Sequence, residues 1–255
     1  MDMTTVTTSA LTSFITSLCS KGADAPAKTF NEGWEFVFGP LNEFLIKHNA
    51  IRKKNIDDFL QAIQQETSKI AISNLQVPPT HLLGPALEAS KYYVDEKTIR
   101  DMFAKVIASS FDKSKNDIIH HAYVEIIKQL SPLDAKIFSE LNSPFFLITR
   151  TIEKENALDI LQNIYLSEKY PEVNQAVALS LSNLSRIGLI HVTNNLFNIK
   201  IASEYDPVIE QFKNTRHYHQ LLQQYDEENI KIITQPCNIT ELGFCFRNVC
   251  CPKNQ

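Results

Sequence analysis

GPALEASKYYVDEKTIRDMFAKVIASSFD, residues 84–112, decides the architecture of the first half of the chain. Within it Ile99, Met102, Phe103, Val106, Ile107 and Phe111 recur at i, i+3, i+4, i+7, i+8 and i+12. That is the stripe of an α-helix with one buried face. Asp95 and Glu96 stand just ahead of it, where acids favour the positive end of the helix dipole. Six large apolar side chains on one stripe need partners, and the flanking sequence supplies them. Residues 55–72 put Ile56, Phe59, Leu60, Ile63 and Ile70 on one side of a helix, with acids and glutamines opposite. Pro78-Pro79 ends this stretch, because proline pushes its predecessor out of the helical region. Further upstream, Trp34, Phe36, Val37, Phe38, Leu41, Phe44, Leu45 and Ile46 form a dense apolar run, followed by Arg52, Lys53 and Lys54. Downstream, the polar KSKND (113–117) leads into a further helix, HHAYVEIIKQL (120–130). The first half therefore reads as helices throughout.

Residues 4–20, TTVTTSALTSFITSLCS, carry no charge. Val6, Ala10, Leu11, Phe14, Ile15 and Leu18 fall at helical spacings with Ser and Thr opposite. Such a stripe packs on the body of the protein or on a second copy. A membrane-surface helix would carry lysines or arginines on its polar face, and none is present. A break at 22–26 sets this segment apart. We read Leu11, Phe14, Ile15 and Leu18 as an interaction stripe. On that reading, removing residues 1–24 leaves thermal stability nearly unchanged.

The pattern changes at Ser131, an N-cap followed by Pro132 at the first helical position and Asp134 at the third. Leu133, Ile137, Phe138 and Leu141 give that helix its buried face. PFFLITR (144–150) reads as a strand, and Leu158, Leu161, Ile164 and Tyr165 suggest a helix. Val173, Ala176, Val177, Leu181, Leu184 and Ile187 form another, closed by Gly188. LIHV (189–192) and LFNIKIA (196–202) read as strands joined at Asn194-Asn195. Asp206-Pro207 opens a helix running to about Tyr225. NIKIITQ (229–235) reads as a strand, and Thr240 caps a last helix carrying Leu242, Phe246 and Val249. Helix, strand, helix, helix, then strands is the order of a winged helix. The expected fold is thus mainly α, with an N-terminal segment at 1–24 and a helical domain at 25–130. A winged-helix-like α+β domain follows at 131–255, with a helical insertion at about 203–228.

In a winged helix, the helix at 173–187 would lie in a DNA major groove. Residues 131–255 hold eleven Lys and Arg against fourteen Asp and Glu, a net charge of −3. The helix itself offers Asn174, Gln175, Ser180, Ser182, Asn183 and a single cation, Arg186. Phosphate contacts carry much of DNA affinity and several cations normally supply them. Asn183 and Arg186 are therefore read as part of a protein-docking face, with DNA disfavoured. Over the 255 residues the net charge is −4 and the apolar content 44%, which excludes wholesale disorder. No run of about 18 apolar residues exists for a membrane span. Asp2 and the lack of a basic leader argue against secretion. The odd count of five cysteines suits reduced thiols in a cytoplasm. His120, His121 and Glu125 make the best approach to a metal or acid–base cluster, but zinc needs three or four ligands and no third is evident by spacing. His217 and His219, at i and i+2 of a helix, diverge. There is no phosphate-binding loop, nucleophile elbow or H-E-x-x-H. No cofactor, metal or catalytic residue is expected, and an enzyme has no positive support.

Several blocks resemble the abortive-infection alpha family, a bacterial domain family associated with resistance to bacteriophage. They are residues 84–112, the following HHAYVEIIKQLSPLDAKIF (120–138), LSRIGLI (184–190) and ITELGFCF (239–246), with APAKTFNEGWEFVFGPLNEFLI (25–46) similar to the family's first region. The resemblance covers about 25–251 and is most specific at 84–138. His121 matches a position where such sequences place a histidine, there typically followed by proline and here by Ala122. The resemblance implies an antiviral role, abortive infection, and transfers no catalytic residues. The expected protein is cytoplasmic and non-catalytic, and recognises a phage or host protein. A homo-oligomer, duplex DNA touched through Arg186, and a membrane surface met by residues 4–46 are the other partners the sequence leaves open.

Overall fold

The α5 helix, Lys97–Ser110, organises the first half of the chain as its stripe requires: all six stripe residues, Phe111 just beyond its end included, are at most 1% exposed. The computed structural model describes residues 4–44, 50–154, 157–193 and 202–251. Among these residues it is mainly helical, with eleven α-helices and one four-stranded antiparallel sheet. The chain divides into two compact units: Met1–Ala135 with Cys245–Gln255, and Lys136–Phe244. The first unit is therefore not contiguous in sequence, unlike the division at 130/131 read from the pattern.

The first unit is built from α1 (Thr4–Cys19), α2 (Asp24–Phe44), α3 (Ala50–Ser68), α4 (Thr80–Ser90), α5 and α6 (Ala122–Gln129). Phe30, Trp34 and Phe38 recur every fourth residue of α2 and stack in a column, with ring centroids 5.8 and 4.1 Å apart. Phe14 of α1 meets Phe30 edge-on at 4.8 Å, and Phe111 lies 5.9 Å from the same ring. Edge-to-face and offset-stacked geometries suit the aromatic quadrupole and add to area burial. Leu11, Phe14 and Leu18 are all buried. Residues 1–24 are thus not an appendage: α1 supplies core side chains, and the expectation that its removal spares stability is corrected. The side chains of Val6, Leu41 and Phe44, and residues Leu45 and Ile46, lie outside the described part. The α3 helix stops at Ser68, short of Pro78-Pro79 and of Ile70, where the hydroxyls of Thr67 and Ser68 turn back onto the carbonyls of Ile63 and Gln65. Arg52 donates to Asp95 at 2.6 Å and to the Lys91 carbonyl at 2.7 Å, so one of the three basic residues at 52–54 ties α3 to the turn before α5.

The α7 helix (Pro132–Glu140) opens with a reciprocal cap. The Ser131 amide donates to Asp134 Oδ2 at 2.8 Å and the Asp134 amide to Ser131 Oγ at 3.1 Å. Then come β1 (Phe145–Lys154), β2 (Ala157–Ile164), α8 (Gln175–Arg186), β3 (Ile190–Val192), α9 (Ala202–Lys213), α10 (Arg216–Leu222), β4 (Ile230–Ile239) and α11 (Glu241–Cys250). The strand order is β2-β1-β4-β3, with β2 and β3 at the edges. Residues 158–164 form a strand rather than the expected helix. The Leu161–Ile164 spacing comes from a register shift between Ile148 and Arg150, opposite Asn163 in the left-handed region at φ 57°, whereas Leu158 faces the other side of the strand. The irregularity lets Leu161 and Ile164 face the same side of a strand. The expected strand at 196–202 lies outside the described residues except for Ala202, which opens α9, and the turn at Asn194-Asn195 lies outside them too. The expected helix at 206–225 is two helices, α9 and α10, broken where Thr215 caps the second through the Tyr218 amide at 3.2 Å. One face of the sheet, carrying Ile148, Ile152, Ile164 and Ile230, is covered by Phe212 of α9 and by Tyr218 and Leu221 of α10.

A backbone junction joins two of the sequence blocks singled out above. Gly188 adopts φ 79° and closes α8, with the Leu189 amide donating to the Leu184 carbonyl at 3.0 Å. Thr240 Oγ1 donates to the Gly188 carbonyl at 2.6 Å and accepts from the Gly243 amide at 2.9 Å. A Cβ on Gly243 would lie 2.1 Å from the Leu189 carbonyl oxygen. Glycine is required there because helix and strand meet backbone to backbone.

Candidate interaction surfaces

The residues expected to make contacts are distributed by the fold between core and surface. Of the N-terminal stripe, Phe14 and Leu18 are wholly inside the first unit. Leu11 and Ile15 line one side of a groove of about 380 Å³ between α1 and α2, with Cys19, Asp24, Lys28 and Glu35 on its rim. Asp24 raises the Cys19 thiol above its ordinary value, through a hydrogen bond first and its charge last. Cys19 is thereby kept in the weakly nucleophilic thiol form.

On the second unit, α8 starts at Gln175 because Asn174 accepts from the amides of Ala176 and Val177 at 2.9 and 3.4 Å. Val177, Ser180, Leu181 and Leu184 face inward. The outward face carries Gln175, Ala176, Leu179, Ser182 and Arg186. Leu179 is 72% exposed. Arg186 donates through Nε and Nη2 to Asn183 Oδ1 at 3.1 and 2.8 Å, so the cation of this face is held on its own helix. Leu179 was missing from the residues picked by sequence, although its offset from the Val177–Leu181–Leu184 stripe already marks it as outward.

His121 precedes α6 and is exposed, its ring stacked on His120 at 4.3 Å. His120 Nδ1 accepts from the Ala122 amide at 3.1 Å, and Glu125 is paired with Lys128 at 2.9 Å. The i, i+4 pair of His121 and Glu125 is therefore not drawn together. Among the described residues no group of three or more His, Cys, Asp and Glu is placed to hold a metal ion. Cys250 and Cys251 are buried, and burial drives both thiols up, Cys251 to about 12. Cys237 of β4 is pushed up to about 12 for the same reason.

A polar cluster that pattern reading missed lies on the covered side of the sheet. Arg150 of β1, 5% exposed, donates to the Asp159 carbonyl at 3.3 Å and pairs with its carboxylate at 3.1 Å. Arg150 Nε and His217 Nε2 are buried without a hydrogen-bond partner. Burial, and then the Arg150 charge, hold the His217 imidazole below its ordinary value. Arg150 sits inside PFFLITR, where a cation amid apolar residues is the one available signal.

Among the described residues, no helix is long and apolar enough to cross a membrane. No curated protein and no solved structure matches the chain. The sequence profile named Abortive infection alpha matches residues 51–250, which takes in α3 to α11, the capped start of α7 and the Gly188–Gly243 junction. The chain belongs to the abortive infection alpha family.

Proposed function

We propose that this chain is a bacteriophage-defence protein of the abortive-infection type, cytoplasmic, acting by recognition of a phage or host protein and without chemistry of its own. Family membership supports the defence role. The observation that carries the recognition mode is the outward face of α8, with Leu179 exposed and Arg186 folded back on Asn183. An apolar residue ringed by amide and hydroxyl side chains suits a protein partner, whereas a duplex would ask for several cations aimed at phosphates. We read the second unit as a winged-helix variant in which β2 takes the place of the second helix and α9 and α10 are inserted between β3 and β4.

The test is phage challenge of bacteria expressing the chain, at low and high multiplicity, beside Leu179→Glu. The parent should protect the culture at low multiplicity and collapse at high multiplicity. Leu179→Glu should lose protection while keeping its melting temperature, since the side chain is already in water. Undiminished protection by Leu179→Glu refutes the docking face, and no protection by the parent across a broad phage panel refutes the defence role.

A further inference from the structure

We infer that the β2 edge of the second unit is the pairing surface for a second copy of this chain, which adds its own β2 antiparallel to it and joins the two sheets. This goes beyond the partner recognition assigned to α8. The register of β1 against both neighbours sets Thr151 beside Ile160 and Lys231, and Glu153 beside Leu158. These side chains, with Ile233 of β4 opposite Thr149, lie on the sheet face that α9 and α10 do not cover. Leu158, Ile160 and Ile233 are 62, 49 and 42% exposed there. Glu153 and Lys231 pair with one another, so the face presents an apolar row with its charge neutralised.

The edge itself carries none of the lysine or proline that usually blocks an unpaired strand. Residues 158–162 read Leu-Asp-Ile-Leu-Gln, and the single charge, Asp159, turns to the covered face where Arg150 pairs with it. An added strand would meet no free carboxylate. Among the described residues the other edge, β3, has three residues and offers a shorter length for pairing.

Self-pairing is favoured over a foreign strand because the sequence is compatible with one two-fold register. Two copies related by a two-fold axis normal to the sheet must oppose outward residues to outward residues. Centring on Asp159 would oppose two carboxylates. Centring on Leu161 would require Asn163, at φ 57°, to pair as extended backbone. Centring on Ile160 uses all of 158–162: Ile160 faces its own copy, Leu158 faces Gln162, and Asp159 faces Leu161. It also brings the exposed Leu158 and Ile160 of both copies into one continuous apolar strip.

The experiment uses the full chain with Cys19→Ser to remove its exposed thiol, studied by sedimentation across a dilution series. A species of twice 29.0 kDa is expected. Ile160→Lys should be monomeric with an unchanged near-ultraviolet circular dichroism spectrum. Ile160→Cys should give a disulfide-linked dimer under mild oxidation, because directly opposed residues bring their Cβ atoms within about 5 Å. A parent that stays monomeric at every concentration overturns the inference, including one that takes up an added β2-like peptide. So does a dimer that survives Ile160→Lys or leaves Ile160→Cys uncrosslinked. Phage protection is read separately, so a failure here leaves the α8 reading standing.

Discussion

Replacing Gly243 with alanine should destabilise the second unit, although the same change elsewhere in this chain should stabilise it. Gly243 is the third residue of α11, and alanine in a helix is favoured over glycine by about 1 kcal/mol. Here, however, the new Cβ would stand 2.1 Å from the Leu189 carbonyl oxygen, 3.0 Å from the Leu189 carbonyl carbon and 2.9 Å from Ile239 Cγ2. Two of the three obstacles are backbone, so the start of α11 must back away by about 1 Å, since packed interiors hold no slack to absorb it. Overpacking of this kind costs about 1–3 kcal/mol. Withdrawal also loosens the Thr240 cap, which depends on the Gly188 and Leu189 carbonyls, for a further loss of about 1 kcal/mol. Net of propensity, we expect a loss of about 1–3 kcal/mol, or roughly 2–12 °C in melting temperature for a protein of this size. The control is Gly84→Ala in α4, where a Cβ meets nothing within 4 Å and stability should rise by up to about 1 kcal/mol. Thermal and urea unfolding of both variants read the difference. If Gly243→Ala melts at or above the parent temperature, the close approach of α11 to Leu189 is wrong.

Three further outcomes follow from burial and capping. Phe14→Ala removes a ring that is 1% exposed and touches Phe30 and Phe111, so urea unfolding should report a loss of about 3–5 kcal/mol, and deletion of residues 1–24 should be at least as damaging. His217 is held below its unfolded value of 6.5, so its share of stability is complete above that pH and is lost as pH falls through the lower folded value. His217→Gln should accordingly flatten the stability profile on the acid side of pH 6.5, and a profile of unchanged slope would contradict the buried, Arg150-facing placement. Ser131→Ala opens the reciprocal cap of α7 and should cost about 1 kcal/mol in the same assay, with no change in the low-salt behaviour expected of a surface charge.

By itself the sequence determined the local elements whose cause is local. The α5 stripe, the caps at Ser131 and Thr240, and the glycine closure of α8 are each set by residues within a turn or two of one another, and the structure has them where the pattern puts them. The identity of the family was legible for the same reason, in blocks of core-facing positions. What tertiary structure decided was where each apolar stripe ends up. Periodicity shows that Leu11, Phe14 and Leu18 share a face but not what covers it; all three are buried, and Phe14 lies against Phe30 and Phe111. The strand at 158–164 was hidden because Leu158 and Leu161 lie on opposite faces and the Leu161–Ile164 spacing arises from a bulge against β1, a partner no local window contains. Arg150 and His217 meet across the covered side of the sheet although 67 positions separate them in sequence. Outward residues such as Leu179 and Ile160 gain meaning only once the covered faces are known, because exposure is what packing leaves behind.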